Sequence, residues 1–125
     1  MAQDWSNSLP MESIVKQVQC AMASVLKEAE QRGSSAVYLV GHSAGGQLVA
    51  MFHQTDWEQF GVSKAVQSKF KAAFSLAGLF DIRPLVKSFV NDTIKMSIDS
   101  AEKVSPQLIP LREGRKLCPL HLIVP

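Results

Sequence analysis

Apolar positions fall into two different rhythms along the chain, and the alternation between them predicts the fold. From Met11 to Gln31, Val15, Val18, Met22, Val25 and Ala29 recur at three- and four-residue steps, with Ile14, Ala21 and Leu26 widening the stripe. That spacing puts one apolar face on an amphipathic helix. Ser8 and Pro10 suit its start, and Gly33 suits its end. The following run, AVYLV, lacks polar alternation, the pattern that burial on both faces of a parallel sheet produces. Gly41 to Gly46 then read as a turn, and AGGQLVAMFHQ as the helix leaving it. After the looser TDWEQFGVSKAVQSKF comes a second buried strand, KAAFSLAG, closing at Leu79 to Asp81. Helical patches run from Pro84 towards Lys103, and a third buried strand, PLHLIVP, begins at Pro119. Helix, strand, helix, strand, helix, strand predicts a doubly wound α/β fold, a mostly parallel sheet with helices on both faces.

Composition narrows this picture mainly by exclusion. The 125 residues leave room for one domain at most, and no internal repeat or linker divides them. A hydrophobic content of 46% with 19% charged residues is globular rather than disordered. The net charge of +2, spread over scattered basic residues, gives no reason to expect a nucleic-acid partner. No apolar run reaches transmembrane length, so no membrane partner is expected. The opening MAQDWSNSLP is polar and lacks the basic start and apolar stretch of a secretory signal. Cys20 and Cys118 form no CxxC pair and read as reduced thiols, which points to a cytoplasmic setting.

The candidate chemistry lies in the turn after the first strand. Gly41-His42-Ser43-Ala44-Gly45 matches G-x-S-x-G, a nucleophile elbow, with a buried-type strand before it and a helix after it. A strained turn of this kind lifts the Ser43 hydroxyl above the sheet and aims the Ala44 amide at the oxygen of an attacked carbonyl. That amide opens a helix, whose partial positive charge favours a developing oxyanion. Side chains at Gly41 or Gly45 are expected to collide with their neighbours, and Gly46 to let the helix pack closely on the strand. The bland alternative is that Ser43 only caps a helix.

A serine nucleophile needs a base and an acid, and the remaining candidates are weaker. His42 adjoins Ser43 but is expected to point away from its hydroxyl on a sharp turn. His53 falls near the end of the following helix, and His121 lies inside the third strand rather than on a loop at the carboxyl edge of the sheet. None reads as a general base. Asp81 follows the second strand on that same edge and could orient a histidine. The reading favoured over that is a cap on the helix near Pro84. Asp56, Asp92 and Asp99 fall in polar segments.

The residues around the elbow carry a family resemblance. VYLVGHSAGGQLVAM, DWEQFGV with its Asp56 and Trp57, FSLAGLFDIRPLV, SPQL and CPLHLIVP together resemble the central part of kynurenine formamidase, also called arylformamidase. That family is of the α/β-hydrolase fold, similar to the hormone-sensitive-lipase-like esterases. The resemblance implies hydrolysis of N-formyl-kynurenine to kynurenine and formate in tryptophan breakdown, a small-molecule substrate, and no metal or organic cofactor. It implies that Ser43 is the nucleophile and Ala44 its oxyanion-hole amide, with Gly41, His42 and Gly45 completing the elbow.

The departures matter equally. The family carries an H-G-G-x-W motif on an earlier loop, and this chain has no H-G-G. The family's catalytic aspartate and histidine follow strands equivalent to PLHLIVP and later ones. Residues 1–125 therefore read as the central part of a single α/β-hydrolase domain, expected to be inactive alone. A carboxylesterase or lipase-like hydrolase of the same fold is the neighbouring alternative. A non-catalytic short isoform that only binds a partner, through an open sheet edge, is the alternative from another class, and the same apolar edge leads to the expectation of a homo-oligomer for the isolated chain.

Overall fold

The computed structural model describes residues 10–110 and 118–124. Helix α1 spans Met11–Gln31, as its periodicity predicts. Pro10, which has no amide proton to lose, precedes it, and the Pro10 carbonyl accepts from the amides of Ser13 and Ile14. Ser8 lies outside the described residues. At the other end Gly33 takes a left-handed φ of +71°. The Gly33 amide donates to Glu30 and the Ser34 amide to Ala29, so a Schellman turn satisfies the last carbonyls.

Strand β1 is Val37–His42 and runs into helix α2, Ala44–His53. A 3-10 turn at Trp57–Phe60 and the short helix α3, Lys64–Gln67, occupy the looser stretch. Strand β2 is Phe70–Leu76. The region after it holds a 3-10 turn at Arg83–Lys87, helices α4 (Asn91–Ile94) and α5 (Ile98–Lys103), and a 3-10 turn at Pro106–Leu108. Strand β3 is Leu120–Ile123. The three strands form one sheet in the order β1-β2-β3, parallel throughout, with Gly41 opposite Ser75 and Phe74 opposite His121.

Helix α2 lies on one face of this sheet and divides the core in two. Its Met51 joins Val15, Ile82, Met96, Ala101 and Val104 under α1 and α5. Its Phe52 joins Ala23, Leu26, Trp57, Val62 and Val66. The Trp57 indole donates to the Phe52 carbonyl at 3.2 Å, which allows a polar ring to be 97% buried because its one donor is met. Gln47, also buried, anchors α2 to the far end of α5 by donating to the Val104 carbonyl at 2.8 Å.

Two expectations change. Helices were expected on both faces of the sheet, but among the described residues they cover one. Ala73 and Ser75 face α2 and are almost fully buried, whereas Tyr38 and Val40 on the opposite face are 60% and 68% exposed. The third strand was expected to be buried, yet His121, Leu122 and Ile123 are exposed. The cause is shared: strand residues alternate between faces, and an apolar run states that both faces suit burial without supplying the element that covers each.

Candidate functional site

Backbones approach one another closely at the carboxyl edge of the sheet. Strand β1 ends at His42, and Ser43 stands between strand and helix with φ 56° and ψ −115°. This conformation is one that side-chain-bearing residues rarely hold, at a cost of about 1–3 kcal/mol that the surroundings must offset. Two neighbours offset it. The Ser43 amide donates to the Leu76 carbonyl at 2.9 Å, extending the β1–β2 ladder into the turn, and the Ser43 carbonyl accepts from Gln47 at 3.2 Å to start the helix. The side chain of Ser43 makes no capping bond to α2. Ser43 and Ala44 are both exposed. The amides of Ala44, Gly45 and Gly46 come before the first rung of the helical ladder, the helix end where backbone donors lack internal acceptors.

The glycines do the work expected at Gly41 and Gly46 but not at Gly45. A β-carbon on Gly41 would overlap the Gly45 carbonyl and lie 2.8 Å from a Val49 methyl, so strand and helix do nearly touch there. A β-carbon on Gly45 would meet nothing within 4 Å, so the expected collision at Gly45 does not occur. Position 45 points outward from the first helical turn, and the close approach is made by its backbone. The crowded helical position is Gly46, where an added β-carbon would stand 2.7 Å from both the Gly78 Cα and the Ser75 hydroxyl. Ser75 and Gly78 escaped the sequence reading. The available signal was a second small-residue cluster, SLAG, closing the strand next to SAGG. Ala77 within it also holds a left-handed φ of 47°.

The histidines and Asp81 stand as follows. His42 shares the open sheet face with Tyr38 and Val40. His53 ends α2, roughly 15 Å along the helix from its start. The Cys118 carbonyl accepts from its Nε2 at 2.7 Å, which fixes the proton on that nitrogen. His121 stacks on Phe74 with ring centroids 4.8 Å apart. It stands level with Val40, two strands across from β1, so strand spacings put it roughly 14 Å from Ser43. Both Asp81 carboxylate oxygens are taken by the Arg83 guanidinium, at 2.9 and 2.7 Å, and Oδ1 also accepts the Arg83 amide at 3.1 Å. These Arg83 hydrogen bonds, opposed by partial burial, hold the Asp81 carboxyl below its ordinary range. Asp81 thus takes the first amide of the 3-10 turn that carries Pro84 from one residue outside it, whereas the cap position expected of Asp81 is held by Ile82, without a side-chain capping bond.

Among the described residues no three His, Cys, Asp or Glu gather as a metal-ligand set, and no helix is long and apolar enough to cross a membrane. Cys20 and Cys118 form no disulfide. A cleft of about 360 Å³ lies away from the turn, between α1 and the carboxyl end of α2, lined in part by Lys16, Gln19, Gln54 and Gln59. It does not include Ser43, and its polar, open walls make it a surface groove rather than part of the elbow.

Relatives fit this geometry. A kynurenine formamidase of Danio rerio is 38% identical over 116 residues, covering 91% of this chain and 38% of that protein. A kynurenine formamidase of Salmo salar is 38% identical over 101 residues, covering 80% of this chain and 32% of that protein. The chain therefore resembles kynurenine formamidases over most of its own length and spans about a third of theirs. No protein-family model matches it. The crystal structure of a candidate thioesterase from Silicibacter sp. TM1040 superposes with a TM-score of 0.66 at 26% identity, over 88% of this chain and 39% of that one.

Proposed function

We propose that this chain carries the nucleophile of a kynurenine-formamidase-like serine hydrolase. The observation that carries the reading is the exposed Ser43, held at a left-handed φ between a parallel strand and a helix N-terminus. The match to formamidases across the same stretch supports it. In this reading the Ser43 oxygen attacks the formyl carbonyl of N-formyl-kynurenine while a histidine takes the hydroxyl proton. The Ala44 amide donates to the oxyanion. Collapse breaks the C–N bond, the histidine returns the proton to the leaving arylamine, and water then releases formate from formyl-Ser43. His42, His53 and His121 do not serve as that histidine, by their positions and commitments, and Asp81 does not serve as the acid. The 125-residue chain alone is therefore inactive in this reading, because triad members act as a unit.

The test is a chimera in which this chain replaces the matching stretch of the Danio rerio protein. It should turn over N-formyl-kynurenine, and Ser43→Ala should abolish the turnover. Retention of most activity by Ser43→Ala ends the reading. A second reading, hydrolysis of esters or thioesters, is favoured by the fold shared with the candidate thioesterase. Comparing kcat/KM for the formamide with that for aryl esters and thioesters in the same chimera decides between them.

A further inference from the structure

The turn at Ser43 is held from outside as well as from within. Ser75 sits on β2 directly opposite Gly41, is 1% exposed, and donates its hydroxyl to the Gly46 carbonyl at 3.0 Å. The next residue, Leu76, accepts the Ser43 amide. Consecutive residues of β2 thus grip the turn on its two sides, one at the strained residue and one at the first turn of α2. Gly78 closes the grip, since Gly46 packs on its Cα with no room for a β-carbon on either residue. The Gly46 carbonyl already belongs to the helical ladder, so the Ser75 bond is an additional, sideways restraint on α2. Its direction matters, because a helix free to slide along β1 would carry the Ala44 and Gly45 amides away from a fixed point above Ser43.

We propose that Ser75 is a positioning residue: its hydroxyl bond to the Gly46 carbonyl holds the first turn of α2 in register with the end of β1, and so fixes the Ala44 amide relative to the Ser43 oxygen. This rests on the reading of Ser43 as nucleophile. A donor that holds an oxyanion is useful only within a few tenths of an ångström, and the brace is buried and set among glycines that leave little room for movement.

Hydrogen exchange on this chain tests the brace independently of any activity. Ser75→Ala removes one bond and leaves the Gly46 carbonyl its helical partner. Exchange at Ser43 and at 47–50 should therefore quicken roughly two- to tenfold, with α1 unchanged. Ser75→Cys, which keeps a weak donor at the same place, should fall in between and stands in should the alanine variant fail to fold. In the chimera, Ser75→Ala should lower kcat roughly tenfold and leave KM within about twofold, since the displaced amide serves the transition state. Exchange that is unchanged, or that rises equally in α1, overturns the proposal, as does a local rise with kcat unaltered. Activity that survives Ser43→Ala ends the underlying nucleophile reading instead and leaves the exchange result standing.

Discussion

The two faces of one strand contrast more sharply than any two domains could. On the α2 side of β1, Gly41 has no space for a methyl group, and its partner Ser75 across the ladder is almost fully buried. On the other side Tyr38 and Val40 stand in solvent beside the stacked Phe74 and His121 rings. Both sides are apolar by sequence. Only one is specified by contact, and that side carries the strained serine. Shape specificity here follows from small residues meeting backbone to backbone, whereas hydrophobicity alone leaves a surface that accepts whatever reaches it.

Substitutions on the two faces should therefore differ in kind as well as size. The largest effect belongs to chemistry at their junction: in the chimera, Ser43→Ala should lower kcat by a factor on the order of 10⁴ or more, read from initial rates. Next, Gly46→Ala on the packed face should destabilise the fold by about 3 kcal/mol, because the obstruction at Gly78 is backbone and cannot rotate away. Denaturant unfolding measures this, and a loss under about 1 kcal/mol would erase the contrast. Gly45→Ala is the matched control, with nothing to strike. On the open face, Val40→Lys should cost little stability while shifting the chain towards smaller species in size-exclusion chromatography, since an uncovered apolar face beside the outer edge of β1 favours self-association. An unaltered elution volume would mean that this face takes no part in association.

The smallest effect is expected at Asp81. Its carboxyl is held below the ordinary carboxylate value by Arg83, so the pair stabilises the fold above that ordinary value and is lost as pH falls through the lowered one. Asp81→Asn should accordingly reduce the thermal midpoint slightly at pH 7, and the difference from the parent chain should shrink and vanish as acid takes the carboxyl below its ordinary range. Turnover in the chimera should hardly change. A drop of several orders of magnitude with the fold intact would make Asp81 the triad acid.

How much of this was legible in the sequence follows from the range of the interactions involved. Helix α1 was readable to its ends because its stripe, its proline and its glycine are all local signals. The β1–turn–α2 unit was readable because the glycine spacing and the apolar run are contiguous. The close packing at Gly46 was legible too, but its partners were not: Ser75 and Gly78 come from the neighbouring strand and the turn after it, and the expected collision at Gly45 is absent because that position meets nothing. The uncovered face was hidden for the same reason: Tyr38 and Val40 record that something apolar suits that side, and the covering element is not part of the run that contains them. Asp81 was legible as a partner of the turn that carries Pro84, while the cap position fell one residue later, at Ile82, and its ion pair with Arg83 depended on a rotamer the sequence does not state.

The anchoring of α2 bears on when the molecule can assemble. Gln47 is bound to a carbonyl 57 residues later, Gln54 to one 52 residues later and His53 to one 65 residues later. Each of these partners leaves the ribosome long after the helix itself. A nascent segment displaying α1, β1 and α2 has α1 packed on Met51 and Phe52 but none of these three hydrogen bonds, and the β1–β2 ladder forms only once β2 follows. Such distant closures slow the search for the native arrangement. During synthesis the β2-facing edge of the apolar VYLV stretch consequently waits for its partner strand, so yield in cells should depend on chaperone supply more steeply than the finished fold's stability would indicate.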